Sequence, residues 1–471
     1  AQQYFQREEF DRVARMMAGA LEKNPQSIPL QFNYVAALSM LGYLDYVWRI
    51  SCYIVAQLIN TEDHPWTEKF FDNMTRLFFT ITHSDRGEKE MTHNGKRYPL
   101  IRHRGLPPPD YQVIFPFSEQ KISLCMIARN EENCIAKALE NVRDYVDEII
   151  LVDTGSTDKT CQIASSYGAK IYHHPWNDDF SESRNYSLSY ATGDWIIVLD
   201  ADEAINYLDL IYLKELSAQK GQHAYSVRQR HYINERNALG LIENDEWYNE
   251  SIGYAGWLEN IICRFFRRNP QVYFKRPVHE ALEYRLKELG IMPLILQIPI
   301  HHYGKLSPLE IRNKKSQQYI DINKKYLERV TDREDLICGN YQIGQSLAAM
   351  RKPEKALAYL EEAVRLINQG EPFKGNDSQG GPVVALSTLY VMLNRPLDAL
   401  KHLKRQVEIE PKNDDYWLAL AQVYIQLKDF HAFCQSLDKC LSLNPENEKA
   451  NRMKENLTKE FHEFNTYREV V

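Results

Sequence analysis

The sequence has no excess of basic residues: 57 Lys and Arg stand against 64 Asp and Glu, a formal charge of −7. A protein that neutralises phosphates along a polymer needs such an excess, so bulk nucleic-acid binding is disfavoured. Long apolar runs are missing too. A membrane-spanning helix needs ~20 consecutive apolar residues; the longest apolar stretch, 292–300, is interrupted by Pro and Gln and reads as a buried strand. None of the eight cysteines stands in a C-x-x-C pair, which argues against a zinc knuckle or a redox dithiol. Most of them fall inside apolar helix or strand patterns, where a free thiol acts as a small hydrophobe. A reducing, cytoplasmic setting is the expectation.

What is present is an ordinary globular composition, 44% hydrophobic and 26% charged, on a chain of 471 residues. That length exceeds a single core, so two to four domains are expected.

The C-terminal third is periodic. Gly344, Ser387 and Ala421 each follow an apolar residue (Ile343, Leu386, Leu420) and precede another three positions on (Leu347, Tyr390, Tyr424). Ala356, Ala399 and Phe433 come next in register, then Leu360, Leu403 and Leu437, and the last two units close on Pro411 and Pro445. This spacing resembles the tetratricopeptide repeat, a pair of helices per unit. The first unit carries a Gly-rich, polar insertion over 369–382, and 446–461 reads as a charged capping helix. Val13, Met17, Ala20 and Pro25 repeat the theme near the start, and 30–58 reads as a further helix pair. The repeats serve either as scaffolding or as a concave surface for an extended chain.

Between these helical blocks, strand and helix patterns alternate, which argues for an α/β domain with a largely parallel sheet. Strands are expected at 121–128, 148–152, 170–173, 194–199, 224–232, 261–266 and 272–274, with helices through Ile135–Val142 and Lys159–Tyr167. The divisions are a repeat-like segment 1–62, an extension with the Pro107–Pro109 connector over 63–120, the α/β domain 121–305, a connecting helix 306–335, and repeats with a cap over 336–471.

In open α/β sheets ligands sit beyond the carboxyl ends of the strands, and four polar clusters fall there. They are Arg129-Asn130-Glu131-Glu132, Asp153-Thr154-Gly155-Ser156-Thr157-Asp158, the run from Trp176 to Asn185, and Asp200-Ala201-Asp202. Singly, Asn130, Thr157 and Asp158 suit helix caps. Together on one rim they suit a nucleotide. Asp153 can accept from a base N–H, and Arg184 can donate to a base carbonyl or a phosphate. If the chain turns between them, Asp200 can face a ribose and Asp202 a hard divalent ion, Mg2+ or Mn2+.

The run Ser123–Glu132, the cluster Asp153–Asp158, the block Trp176…Asp179-Phe180-Ser181…Arg184-Asn185 and the run Val198–Asp202 resemble the family-2 inverting glycosyltransferases of GT-A fold. They are most similar to the subgroup fused to tetratricopeptide-like helices, which includes the S-glycosyltransferase of the bacteriocin sublancin. The resemblance covers about 121–320. It implies an α/β GT-A domain flanked by all-α tetratricopeptide-like repeats, in a bacterial protein. It also implies a nucleotide-diphosphate sugar donor, with UDP favoured and GDP possible.

By the same resemblance Ala128, Arg129, Glu131, Asp153, Ser156, Arg184, Asp200 and Ala201 are expected around the donor, and Asp202 at the metal. Pro277-Val278-His279-Glu280 and His301-His302-Tyr303-Gly304 match short motifs of the subgroup. They make His302 the first and His279 the second choice for a further metal ligand. An inverting transfer needs a carboxylate base; Glu280 is the leading residue for it and Glu259 the next. Trp247, Tyr248, Tyr254 and Trp257 could stack on a sugar or peptide, or fill a seam between domains. Arg264, Arg267 and Arg268 read as a solvated strand end, and Lys314 and Lys315 as a helix face. The acceptor expected is a peptide or protein gripped by the repeats, with a surface polysaccharide or lipid-linked glycan as the alternative and a homo-oligomer possible. From another class, the repeats could be a protein-binding scaffold beside a degenerate nucleotide binder. A nucleotidyltransferase would want a Gly-rich basic loop after the first strand, where Arg129–Glu132 has acid and no Gly.

Overall fold

The computed structural model describes residues 9–58, 67–86, 90–93, 96–99, 102, 106–109, 112–236, 238, 240–369, 381–445, 447 and 449–454. Most of the expected insertion and of the charged capping helix lies outside these residues. Two compact units form: Ala1–Trp176 with Ser183–Tyr273 and Leu286–Leu306, and Asn177–Glu182 with Phe274–Arg285 and Ser307–Val471. Among the described residues no helix is long and apolar enough to cross a membrane.

The first unit opens with four helices, α1 (Phe10–Lys23), α2 (Ile28–Met40), α3 (Leu44–Leu58) and α4 (Thr67–Asp85). Helix α1 is amphipathic: Val13, Ala14, Met17, Ala18 and Leu21 form one buried stripe. Helix α3 is buried nearly all round, as expected of a helix surrounded by others. A two-stranded hairpin follows, β1 (Glu90–His93) and β2 (Lys96–Pro99).

The sheet is built from β3 (Ile122–Ala128), β4 (Glu148–Asp153), β5 (Lys170–His173) and β6 (Trp195–Val198). Helices α5 (Ile135–Glu140), α6 (Thr160–Ser166) and α7 (Phe180–Tyr190) lie between them in sequence. Then come β7 (Glu203–Ala204), α8 (Tyr207–Leu216), β8 (Ala224–Ile233), β9 (Ile242–Glu243) and β10 (Gly256–Arg267). The short helix α9 (Glu283–Glu288) precedes β11 (Leu294–His302). Strands β3 and β6 are buried along almost their whole length, β3 apolar but for Ser123, as expected of strands inside a covered sheet.

Strand order is β5-β4-β3-β6-β10-β8-β11-β7, with β9 on β10. The β5-β4-β3-β6 half is parallel as expected. The other half is mixed, which corrects the expectation of a largely parallel sheet: β10 runs antiparallel to both β6 and β8, and β7 antiparallel to β11. Strand β10 follows β8 without a crossover helix, so the chain can only return in the opposite direction. Val272–Phe274 adds no strand, because Val272 N donates to Asn269 O (2.9 Å) in a turn.

The four opening helices and the sheet share one core. Trp48 of α3 donates from Nε1 to Leu208 O of α8 (2.9 Å), and Arg102 holds Asp45 of α3 together with Asp85 at the end of α4.

The second unit is helical: α10 (Leu309–Leu327), then the pairs α11 (Arg333–Ala349) with α12 (Pro353–Ile367), α13 (Gly381–Met392) with α14 (Pro396–Ile409), and α15 (Asp414–Gln426) with α16 (Phe430–Leu443). Pro353 and Pro396 start their helices where a missing N–H costs nothing. The small residues of the repeat register are explained by contact: a Cβ on Gly344 would lie 2.6 Å from Leu360 Cδ2.

Candidate functional site

Strands β3, β4 and β5 end side by side, and their loops are laced together. Asn130, which follows β3, sits at φ 58°, a backbone region that Asn tolerates. Its N–H donates to Ser156 Oγ (3.0 Å) and its Oδ1 accepts from Thr157 N (2.8 Å). Glu131 N donates to Thr160 Oγ1 (2.7 Å), Glu132 N to Asp158 Oδ2 (3.1 Å), and Lys159 N to Glu132 Oε2 (3.0 Å). Ala128, the last residue of β3, accepts Thr154 N through its carbonyl (3.0 Å). The caps expected here are thus mostly links between two loops. The Glu131 carboxylate accepts the Cys134 thiol (3.0 Å).

Beside this lacing, Arg129, Asp153, Thr154, Gly155, His173, Pro175 and Trp176 line a recess of about 350 Å³. Gly155 adopts φ 112°, which a side chain would resist. That conformation aims successive amides at Asp153: Ser156 N at 3.0 Å and Gly155 N at 3.3 Å, with His173 Nδ1 at 3.2 Å. Burial works against the charged Asp153, but these donors outweigh it and hold its pKa below the usual carboxylate value.

Strand β6 runs into the second cluster. The chain turns at Asp200, whose carbonyl accepts Glu203 N (3.0 Å), with Ala201 buried in the bend. The two carboxylates then part company. Asp200 is bound by Arg184 Nη2 (2.7 Å) and Arg264 Nη2 (3.1 Å). Burial opposes its charge, and the two guanidinium groups overcome that and hold its pKa well below the carboxylate range. Arg184 therefore meets Asp200 here, and Arg264 is a buried partner of Asp200 and Glu203, not a solvated strand end. The carboxylate of Glu203, nearly fully buried, accepts Asp200 N (2.8 Å) and the Gln229 amide.

Asp202 Oδ2 instead lies 3.5 Å from His302 Nε2. Backbone pairing explains the approach: β7 and β11 set His302 opposite Glu203, and Tyr303 N donates to Asp202 O (3.1 Å). Gly304 packs closely against both; a Cβ there would meet Asp202 Oδ2 and His302 Cε1 at 2.7 Å. On its other side His302 Nδ1 is 2.8 Å from His231 Nδ1 of β8. Burial, followed by the nearby His302, Lys305 and Arg264, pushes the His231 pKa down to about 2.

The remaining expected residues fall elsewhere. Register places Glu259 opposite Arg230, itself opposite His301. Those three share one face of the sheet, while His231 and His302 point to the other. The Glu259 carboxylate is paired with Arg228. His279 and Glu280 belong to the second unit, in a loop closed by a Lys275–Ala281 bridge; His279 adopts φ 50° and packs edge-on against Tyr319. Tyr248 and Trp257 are buried, Tyr248 against Phe78 of α4 and His301, so they fill a seam. Lys314 lines a shallow polar recess with Asp178 and Lys325 on the second unit.

Sequence reasoning did not single out His173, Glu203, Gln229 or His231. His173 ends an expected strand, so the strand-end rule applied to it as well; the others carry no local signal.

The family description "Glycosyl transferase family 2" matches residues 123–281, and "Tetratricopeptide repeat" matches 339–369 and 414–447. A TPR repeat-containing protein of Synechococcus elongatus is 37% identical over 35% of this chain and 36% of its own. The SPbeta prophage-derived glycosyltransferase SunS of Bacillus subtilis is 28% identical over 60% of this chain and 61% of its own. An uncharacterized glycosyltransferase of Rickettsia typhi is 39% identical over 18% of this chain and 30% of its own. Each match spans less than two thirds of the relative's length. Among solved structures, mannosyltransferase PcManGT from Pyrobaculum calidifontis, in complex with GDP-Man and Mn2+, aligns over 60% of this chain and 87% of its own with 14% identity and a TM-score of 0.32. The α/β domain with its mixed sheet has the GT-A fold, and residues 123–281 match glycosyl transferase family 2, with tetratricopeptide repeats following in the same chain.

Proposed function

We propose that this chain transfers a sugar from a nucleotide-diphosphate donor, UDP in preference to GDP, to a peptide or protein acceptor with inversion and with Mg2+ or Mn2+. The observation that carries the reading is the pairing of two features at the strand ends of the first unit: the recess around Asp153 and the acid–imidazole pair of Asp202 and His302. The recess suits a base, with the ionised Asp153 able to accept a ring N–H and Arg129 and the Trp176 ring beside it. Arg184 and Arg264 hold Asp200 at the turn, so their contribution is to fix the loop that presents Asp202.

The chemistry of Asp202 and His302 suits a divalent cation that a bound donor helps to hold. Among the described residues no group of three or more His, Cys, Asp or Glu is arranged to hold a metal. Mg2+ and Mn2+ commonly bind through one or two carboxylates with substrate phosphates and water completing the shell. Asp202 and His302 would supply the protein's share, with His279 as the second choice of imidazole. A bound cation offsets charge on the departing nucleotide diphosphate.

Glu280 is the base in this reading. As the acceptor atom bonds to the anomeric carbon, the bond to the diphosphate oxygen breaks and the acceptor proton passes to the Glu280 carboxylate. Glu259 suits this less well, being paired with Arg228 on the other sheet face from His302. The repeats would hold the peptide along their helices.

A thermal-shift screen of UDP, GDP and CDP, each with and without Mn2+, tests this. A ligand specific to the folded state raises its stability with occupancy. The reading expects one nucleotide to stabilise the chain with metal, and the effect to vanish in Asp202→Ala. No shift from any nucleotide at millimolar concentration would overturn it and shift the weight to a scaffold role.

A further inference from the structure

Histidines 231 and 302 face each other in register on the neighbouring parallel strands β8 and β11. Their rings meet edge-on, with centroids 4.5 Å apart and planes at 75°, and the two Nδ1 atoms are 2.8 Å apart. At that separation one proton must lie between the nitrogens. Two lone pairs would repel, and so would two N–H groups.

The proton has two possible homes, and they differ at the far side of His302. If His231 Nδ1 carries it, the N–H of His302 is the one on Nε2, facing Asp202 Oδ2. A charge-assisted N–H···O− bond there would draw the atoms to about 2.7–2.9 Å, yet they stand 3.5 Å apart. If His302 Nδ1 carries it, His302 Nε2 presents a bare lone pair toward the side where Asp202 presents a carboxylate oxygen. Gly304, with no Cβ, lets the backbone lie close against both of them.

We propose that His231 is a positioning residue: it accepts the Nδ1–H of His302 and so turns His302 Nε2, as a lone-pair donor, toward Asp202. This rests on the reading of Asp202 and His302 as the residues that hold a divalent cation. A ring that ligates through one nitrogen is oriented by the hydrogen bond its other nitrogen makes, and loss of such a partner typically weakens metal affinity by about 10–100-fold.

The experiment is Mn2+ titration of the full chain, following the free-ion signal by electron paramagnetic resonance, with melting curves for each variant. His231→Leu removes the acceptor and is expected to weaken Mn2+ binding about 10–100-fold. His231→Asn places an amide oxygen near the lost Nδ1, so it is expected to restore most of the affinity. Asp202→Ala and His302→Ala serve as controls. Wild-type affinity in His231→Leu, with both controls impaired, overturns the role of His231 alone. Wild-type affinity in all three overturns the metal reading as well. If His231→Leu fails to fold, the tautomer of His302 decides: long-range 15N spectra of histidine-labelled metal-free chain, assigned with His302→Ala, are expected to show Nδ1–H. An Nε2–H tautomer overturns the proposal.

Discussion

Arg184 Nη2 donates to Asp200 Oδ1 across 2.7 Å, joining helix α7 to the turn that carries Asp202. Arg184 is buried and Asp200 mostly so, which makes the pair costly to break on one side only. Arg184→Leu leaves the carboxylate with Arg264, and we expect a loss of about 3 kcal/mol, the low end for one-sided truncation of a buried pair. Urea unfolding at neutral pH measures it. A change within error of zero would mean that Arg264 alone satisfies Asp200.

Tight packing against Asp202 and His302 makes Gly304 a sensitive position. A Cβ there would lie 2.7 Å from Asp202 Oδ2 and 3.0 Å from His302 Nε2, both ends of side chains that can swing aside. Gly304→Ala should therefore fold normally but push the two donors apart. Mn2+ affinity is expected to fall by about tenfold or more, the scale seen when ligand geometry is disturbed. Unchanged Mn2+ titration would show that the pair does not act as a unit.

The parts of this site that were legible in the sequence are contiguous in it. Asp153 through Asp158 and Asp200 through Asp202 announce themselves as polar clusters directly after apolar runs, and strand ends gather ligands in such sheets. What surrounds them was not legible. Glu203, Gln229, His231 and Arg264 sit inside or beside strand patterns, where period 2 tells which face a side chain takes and not which strand lies next to it. The β7–β11 pairing that brings His302 to Asp202 joins residues about a hundred apart in the chain, and no local pattern carries it. The same limit explains Arg264, which reads as surface until β10 is known to lie against β6. The repeats were easier to see because their contacts are local and recur at a fixed period.

Glu148 ties the near end of the sheet together. Its Oε1 accepts Ser123 Oγ (2.6 Å), Thr192 N (2.6 Å) and Thr192 Oγ1 (2.8 Å), and its Oε2 accepts Lys170 Nζ (2.8 Å). Burial favours the neutral acid, but these donors outweigh it and lower the pKa to about 2. A group depressed in the folded state contributes stability above its unfolded pKa, near about 4.3 for Glu, and loses it as pH falls through the folded value. Stability should thus decline from about pH 4 toward pH 2, and Glu148→Gln should flatten that decline. The substitution should also cost about 1.5–3 kcal/mol at neutral pH, the worth of a hydrogen bond to a charged group. Urea midpoints across that pH range, wild type against variant, give the answer; parallel curves would remove Glu148 from the account.

Trp48 tests whether the opening helices stand apart from the sheet. It is buried, packs against Phe78 and donates to Leu208 O (2.9 Å) on the sheet's own helix α8. Trp48→Ala leaves a cavity and an unpaired carbonyl, for an expected cost of about 3–5 kcal/mol. Because α1–α4 share a core with the sheet, the melting transition of the sheet should move with it. A lower melting point for the helices alone, with that transition unmoved, would show that the two fold separately.

Gly344 tests the repeats in the complementary way. It lies on α11 where Leu360 of α12 approaches, so that an added Cβ would be 2.6 Å from both Leu360 Cγ and Cδ2. Ala on Gly344 asks the Leu360 side chain to swing, whereas Leu forces α11 and α12 apart. Overpacking of this kind costs about 1–3 kcal/mol, so Gly344→Leu should lower the melting point of the second unit, with Gly344→Ala showing a smaller loss. Gly344 belongs to the helical unit and the recess around Asp153 to the other, so on the proposed function stabilisation by nucleotide and Mn2+ should persist in both variants while binding of an acceptor peptide weakens in Gly344→Leu. Acceptor affinity that stays at the wild-type value after the repeats have demonstrably loosened would place the peptide somewhere other than on these helices.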